Sequence, residues 1–336
     1  MRAPVVGFIR FMADFLSEAY DLAFAGPVVL ALGGNAVVRP GQRGDIYEQF
    51  AATRESVEPL VPLIRDGAAL VITHGNGPQV GDLLIMAESA RERVPEIPLG
   101  VLVADTQGQM GYMIQQTLRN RLALEGIERN VVTVVTQVLV DKDDPKLTEY
   151  TKPVGPFMDE SVAKLRMAQS ELRMVEDSGR GWRRVVPSPE PTAIVEMDTI
   201  KGLVDAGVII VTAGGGGIPV YYEEDGRLEG IDAVVDKDRA SAVLARGLGA
   251  PLFVLATSVD KVYLDFNKPE QRPLDLVTLE DARLYYAEGH FAAGSMGPKV
   301  ESIISFLEDG GRRAVVTTPA GVLEALRGRT GTHFTA

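Results

Sequence analysis

Residues 69–93 read ALVITHGNGPQVGDLLIMAESARER, an apolar run, a glycine-rich turn, and then apolar residues at helical spacing. Ala69–His74 is too short for a helix and has no polar face, which is the pattern of a strand buried on both sides. The turn is built on Gly75, Asn76 and Gly77, and Gln79–Arg93 carries the i, i+3, i+4 spacing of a helix. The same succession recurs along the chain. Short apolar runs stand at Val28–Leu32, Asn130–Val140, Val208–Ala213, Leu252–Thr257 and Arg313–Thr318, and helical stretches at Ile46–Asp66, Gln109–Leu124, Asp238–Leu248 and Lys299–Glu308. Alternating strand and helix predicts an α/β fold with a largely parallel sheet covered on both faces, its functional loops at the carboxyl ends of the strands.

Two segments depart from that pattern. Asp141–Pro191 is rich in Pro, Asp, Lys and Arg, and reads as an insertion that serves as a lid or, alternatively, as an oligomerisation arm. Met1–Gly26 is amphipathic but broken by Asp14, Glu18 and Asp21, too charged to span a membrane and without the layout of a secretory signal. It reads as a helical extension packed on the body or on a partner. The alternative, a helix lying in a membrane surface, is weakened by the few basic residues on its polar face.

Composition excludes several classes. The 336 residues contain no cysteine, which removes disulfides, thiolate nucleophiles and cysteine-ligated zinc, and fits a reducing, cytoplasmic compartment. A formal net charge of −12 argues against a nucleic-acid partner. Of the 34 basic residues only nine are lysine, so a lysine inside a glycine- or proline-rich loop carries weight.

Three such loops follow predicted strands: GGNA at Gly33–Ala36, HGNGPQVG at His74–Gly81 and AGGGGIP at Ala213–Pro219. Glycines there let backbone amides face an anion without an intervening side chain. A helix start after Gly77 adds further donors. His74 has no nearby acid or thiol partner in sequence and reads as a loop-fixing residue rather than a general base. Neither a Walker A sequence nor a dinucleotide-binding GxGxxG is present, which disfavours P-loop and Rossmann enzymes.

The lysines complete the pattern. Lys237 lies between Asp236 and Asp238 at a helix start, Lys299 lies in GSMGPKV at the next helix start, and Lys152 lies in TKPVGP within the insertion. Phosphoryl transfer asks for positioned cations and for little covalent chemistry, and loop lysines beside glycine turns meet that demand.

Taken in order, GGNA, HGNGPQVG, TKPVGP, GRGWRRVVPSP, AGGGGIP, VDKD and GSMGPK resemble the carbamate kinases of the amino-acid kinase superfamily, from about Pro27 onward. The resemblance implies a three-layer αβα sandwich with a mainly parallel central sheet and a small protruding subdomain at about 141–191. It implies a homodimer that interconverts ATP plus carbamate with ADP plus carbamoyl phosphate, often in the direction of ATP. By motif, Lys152, Lys237 and Lys299 would surround the transferring group and Asp238 would orient lysines. Gly33, Gly34, Asn35, Gly75, Asn76 and Gly77 would hold the carbamate and phosphate end. Gly214, Gly215, Gly216, Thr257, Val259, Tyr263, Met296 and Gly297 would serve ATP or ADP. Mg²⁺ would ride on the nucleotide's phosphates with few direct protein ligands. The resemblance leaves Met1–Gly26 without a counterpart. Competing expectations are an amino-acid kinase with a larger acceptor and a relative that binds nucleotide without turnover.

Overall fold

The structure is a computed structural model that describes residues 18–336 apart from 39–41, 170, 171, 178, 180 and 293. Eight strands, β1 (Val28–Leu32), β2 (Leu70–His74), β3 (Val131–Thr133), β4 (Ile209–Val211), β5 (Leu252–Ala256), β6 (Leu276–Thr278), β7 (Arg313–Thr317) and β8 (Thr332–Thr335), form one sheet in the order β6-β8-β7-β5-β1-β2-β4-β3. Every pairing is parallel except β7 with β8. Leu32 stands opposite both His74 and Ala256, and Ile72 opposite Val211, so β5, β1, β2 and β4 end side by side. The loops that follow these four strands are therefore neighbours.

The longer helices are α1 (Ile46–Val57), α2 (Gly77–Ala90), α3 (Leu99–Leu124), α4 (Glu160–Gln169), α5 (Met197–Asp205), α6 (Lys237–Leu248), α7 (Leu279–Ala287) and α8 (Met296–Glu308). Residues along one strand alternate between two cores. Val29, Ala31, Phe253 and Leu255 pack with Leu244 and Leu248 of α6 and Ile303 and Phe306 of α8. Val28, Leu30, Leu32, Leu252 and Val254 pack on the other side with Val57, Ile64, Leu118 and Leu122. Helices on both faces of a mainly parallel sheet make the three-layer αβα architecture, and two-sided burial is why the strands read as unbroken apolar runs.

The expected helix Ile46–Asp66 is broken after Val57, the helices expected from Gln79 and Lys299 begin at Gly77 and Met296, and two further differences have causes distant in the chain. The helix expected from Gln109 begins at Leu99, because Asp232, far along the chain, accepts the Leu99 amide at 2.8 Å and supplies the missing cap. Asn130–Val140 is two strands rather than one. Its second half, Gln137–Val140, joins a separate sheet with Pro191–Ile194, Ile218–Tyr222 and Leu228–Gly230. The break falls at Thr136, where Gln107 bonds both the amide (2.8 Å) and the carbonyl (3.0 Å), and the Thr136 hydroxyl accepts from the Ala213 amide at 2.9 Å. There the chain passes from one sheet to the other: the Val134 amide still donates to Val211, and the Thr136 carbonyl already accepts from Ile218 at 2.9 Å.

Residues 150–187 build a small antiparallel sheet, Tyr150–Met158, Trp182–Pro187 and Met174–Glu176 in spatial order, with α4 beside it. It rests on α2. Val154 and Val186 join Val80 and Leu84, and Arg166 and Arg184 reach Glu88 at 3.2 and 2.8 Å. The backbones touch where Gly81 meets Gly155: a Cβ on Gly81 would lie 2.0 Å from the Gly155 Cα.

Residues 18–25 are helical and bury Ala19, Leu22 and Ala23 against the sheet; residues 1–17 lie outside the described residues. Glu18 reaches Arg312 and Arg313 at 3.0 Å each, and the Arg313 side chain is only 2% exposed. Removing one partner of a buried charge costs more than forming the pair gains, so Glu18→Ala is expected to lower stability by about 1–3 kcal/mol. Thermal unfolding of the variant checks this, and an unchanged melting point would assign the pair no weight. Among the described residues no helix is long and apolar enough to cross a membrane.

Candidate active site

The site is assembled at the carboxyl edge of the sheet. Gly33 donates its amide to the Ala256 carbonyl at 2.8 Å, and Gly75 donates to the Leu32 carbonyl at 3.0 Å, so the ends of β5, β1 and β2 are stitched together. Gly34 and Asn35 lie in the short 3₁₀ turn Gly34–Ala36 that follows. A Cβ on Gly75 would lie 3.3 Å from the Gly34 amide nitrogen and 3.4 Å from the Lys237 Cδ. That contact brings two glycine turns and a lysine stem to one point.

Asp236 caps α6, its side chain accepting from the Asp238 and Arg239 amides at 2.9 and 3.3 Å. The cap fixes Lys237 and Asp238 in the first turn. One Asp238 oxygen accepts from Lys237, and the other accepts from Lys299 of α8 at 2.9 Å. Lys152, from the small sheet, donates to the second oxygen of Asp236. Three ammonium groups thus surround two carboxylates, with Lys237 13%, Lys299 15% and Asp238 5% exposed. The cluster keeps one surplus positive charge in a partly desolvated place, which suits an incoming anion. Lys299 also sits in the first turn of α8, where the helix dipole opposes a cation, and Asp238 offsets that.

Burial disfavours ionisation of both carboxylates, yet the lysines outweigh it. Lys152 foremost holds Asp236, and Lys237 with Lys299 holds Asp238, below the usual carboxylate range. Burial pushes Lys237 down, with Asp238 offsetting only part of the effect. For Lys299 burial also pulls down, but the attraction of Asp238 prevails and raises it. Two lysines sharing one carboxylate therefore hold their protons unequally.

The run Gly214–Gly216, which the resemblance assigns to the nucleotide, is buried. Gly215, Gly216 and Gly217 have φ of +66°, +93° and +82°. A Cβ on Gly214 would lie 2.3 Å from the His74 Nε2, on Gly215 2.1 Å from the Asn76 Nδ2, and on Gly216 2.3 Å from the Val235 carbonyl oxygen. Protein atoms press on these glycines from the Cβ side: the loop is the bed on which the HGNG turn and the segment before Asp236 rest.

His74 is 1% exposed, and its Nδ1 lies 3.2 Å from its neighbour's carbonyl, that of Gly75. Burial, with the charge of Lys237 adding to it, lowers its pKa to about 4. Between about pH 4 and 6.5 the unfolded chain binds a proton that the folded chain refuses, so the stability from neutral His74 is complete above 6.5 and declines toward 4. The slope is at most about 1.4 kcal/mol per pH unit. His74→Gln is expected to flatten this part of the profile of melting temperature against pH, and an unchanged profile would contradict the assignment. Asn76 donates to the Thr106 hydroxyl at 2.8 Å, which spends its side chain on holding the turn to α3. The first amides of α2, starting at Gly77, have no side-chain cap.

Toward β5, a Cβ on Gly33 would lie 3.6 Å from the Thr257 Cα, so the first glycine turn abuts the end of that strand. Thr257, Val259 and Tyr263 are half-buried along the chain that leaves β5, and Tyr263 donates to Asp260 at 2.9 Å. Met296 and Gly297 open α8 in the same first turn as Lys299, with Gly297 buried against the Ala292 carbonyl. The lysines, Asp238, Gly34 and Gly75 form one group; Gly33 sets Thr257 near it, and Met296 and Gly297 begin the helix that carries Lys299. A cavity of about 150 Å³ lined by Pro251, Phe306 and the Arg246–Asp309 pair lies by the amino ends of β5 and β7, away from this group.

The profile described as the amino acid kinase family matches residues 26–318. The chain belongs to that family. Within it, a carbamate kinase of Pyrococcus furiosus is 48% identical over 308 residues, covering 91% of this chain and 98% of that protein. A carbamate kinase-like protein of Escherichia coli is 47% identical over 310 residues with the same two coverages. The solved carbamate kinase of Giardia lamblia bound to AMP-PNP is 40% identical, with a TM-score of 0.85 over 92% of this chain and 98% of that one. This amino acid kinase falls with the carbamate kinases. The profile begins just before β1, so the helical residues 18–25 precede it.

Proposed function

We infer that the chain transfers the γ-phosphoryl group of ATP to carbamate, giving ADP and carbamoyl phosphate, and runs the same step in reverse. The observation that carries this reading is the convergence of Lys152, Lys237 and Lys299 around Asp236 and Asp238 beside the Gly34 and Gly75 turns. A carbamate oxygen attacks the γ-phosphorus while the bond to the bridging oxygen of ADP breaks. Charge on the transferring oxygens is met by Lys237 and Lys299, and Lys152 meets it from the side of the small sheet. The acceptor is already an anion, so no general base is required, in keeping with a buried His74. The Giardia relative's complex with AMP-PNP supports ATP as the nucleotide.

Among the described residues no group of three or more His, Asp or Glu side chains is placed to hold a metal ion, and Asp236 and Asp238 are engaged by lysines. Mg²⁺ would enter on the nucleotide's phosphates, where it neutralises charge and orders the chain of phosphates. We place the protein in the cytoplasm as a homodimer. Exposed Tyr47 and Tyr112, on the adjoining α1 and α3, are surface that a second copy would cover.

The test offers ATP with carbamate, acetate or a larger carboxylate as acceptor, with and without EDTA. ADP release with carbamate alone, abolished by EDTA and restored by Mg²⁺, is the expected result. Release with a larger carboxylate in preference to carbamate would replace the acceptor, and indifference to EDTA would remove Mg²⁺. A solution mass near that of one 36.2 kDa chain would remove the dimer.

A further inference from the structure

The two carboxylates of the cluster have different partners. Asp238 gives one oxygen to Lys237 and the other to Lys299, both carried by helices of the main body. Asp236 gives one oxygen to the amides that begin α6 and the other to Lys152, which belongs to the small sheet. Around this point the small sheet also touches the segment leading to α6 where the Val234 amide donates to the Pro187 carbonyl at 3.0 Å and Val234 joins Val154 and Val186 in one apolar cluster. Lys152 stands opposite Val186 in the small sheet, so the ion pair and this backbone bond close the same end of it. Val154, Gly155 and Arg184 of the small sheet and Arg166 of α4 meet α2, with Leu99, Leu102 and Val103 of α3 in the same apolar cluster as Val154.

We propose that Asp236 is the positioning residue for Lys152: it draws the small sheet's lysine to the site already occupied by two ammonium groups. The inference rests on the reading that Lys152 acts in the transfer. Its physical basis is like-charge repulsion. Without a second carboxylate, a third ammonium brought beside Lys237 and Lys299 would be driven outward, and Lys152, whose side chain is 30% exposed, has solvent to retreat into. Because Asp236 splits its oxygens, capping and lysine placement are separable by substitution. Asn and Ser both cap helices well but carry no charge. In Asp236→Asn the cap oxygen is kept and an NH₂ donor faces the Lys152 ammonium.

The experiment measures kcat, the KM for ADP and carbamoyl phosphate, and melting temperature for Asp236→Asn, Asp236→Ser, Lys152→Met and the double variant Lys152→Met/Asp236→Asn. Asp236→Asn and Asp236→Ser are each expected to lose about tenfold or more in kcat, with KM for ADP little changed, as fits the loss of a charge acting on the transferring group. The double variant is expected to fall within about twofold of Lys152→Met, since residues acting through one contact are not additive. If Lys152→Met is impaired while Asp236→Asn keeps near wild-type kcat, Asp236 does not position Lys152, and the role of Lys152 stands. Losses that multiply in the double variant, or a melting-point drop that tracks the kcat loss in both capping variants, would assign Asp236 another route and overturn the proposal. A wild-type kcat for Lys152→Met would instead sink the underlying reading of the site.

Discussion

Replacing Lys237 or Lys299 by alanine is expected to lower kcat for phosphoryl transfer by at least about 100-fold with the fold retained, the scale set by removing one charge partner of a transition state. This corresponds to about 2.7 kcal/mol of transition-state stabilisation. Both ammonium groups are largely withdrawn from water, so their field on a phosphoryl group is weakly screened. Each substitution also leaves Asp238 with one cation instead of two, which reverses the cluster's surplus of positive charge to balance. Substrate anions then lose attraction as well as transition-state stabilisation, and KM for carbamoyl phosphate is expected to rise along with the fall in kcat. Steady-state kinetics with circular dichroism as a fold control separates this from misfolding. Near-normal turnover in either folded variant would show that the cluster is not where transfer occurs.

The second large effect is expected from a methyl group. Gly81→Ala puts a Cβ 2.0 Å from the Cα of Gly155, and neither backbone can yield without moving α2 or the strand Tyr150–Met158. The small sheet is the lighter body and is expected to shift, carrying Lys152 outward. A misplacement of about 1 Å can cost about 100-fold in rate, so a loss of about 10- to 100-fold in kcat is expected. The melting temperature of the main body should move far less, because the two large cores do not involve this contact. Gly108→Ala in α3 is the control: nothing lies within 4 Å of its Cβ, and it should be neutral or stabilising by up to about 1 kcal/mol. Wild-type kcat in Gly81→Ala would mean that the docking of the small sheet is irrelevant to turnover.

The central strands were legible because burial on both faces writes an unbroken apolar run, and Val28–Leu32 stands in the structure at those same limits. Where expectation and structure part, the cause is a contact distant in sequence. The start of α3 depends on Asp232, and the break at Thr136 depends on Gln107; neither leaves a local signal. Within the insertion α4, with one buried side chain, carries almost no apolar stripe to read. Lysines 152 and 299 stood out because each interrupts a glycine- or proline-rich loop in a lysine-poor chain, and Lys237 because it stands between two aspartates at a helix start. Asp236 was visible only as an acid beside Lys237 at a helix start; its capping of α6 and its bond to Lys152, 84 positions away, were not. The glycine run at 214–216 was legible as a costly feature, but that His74, Asn76 and Val235 fill the space side chains would need follows from contacts distant in sequence.

The most direct measurement is ATP formation from ADP, Mg²⁺ and carbamoyl phosphate in a coupled assay, with acetyl phosphate as the control donor. Rapid ATP formation from carbamoyl phosphate, and little from acetyl phosphate, is the predicted result. An enzyme folded and able to bind ADP that makes no ATP from carbamoyl phosphate would contradict the assigned reaction while leaving the amino acid kinase fold in place.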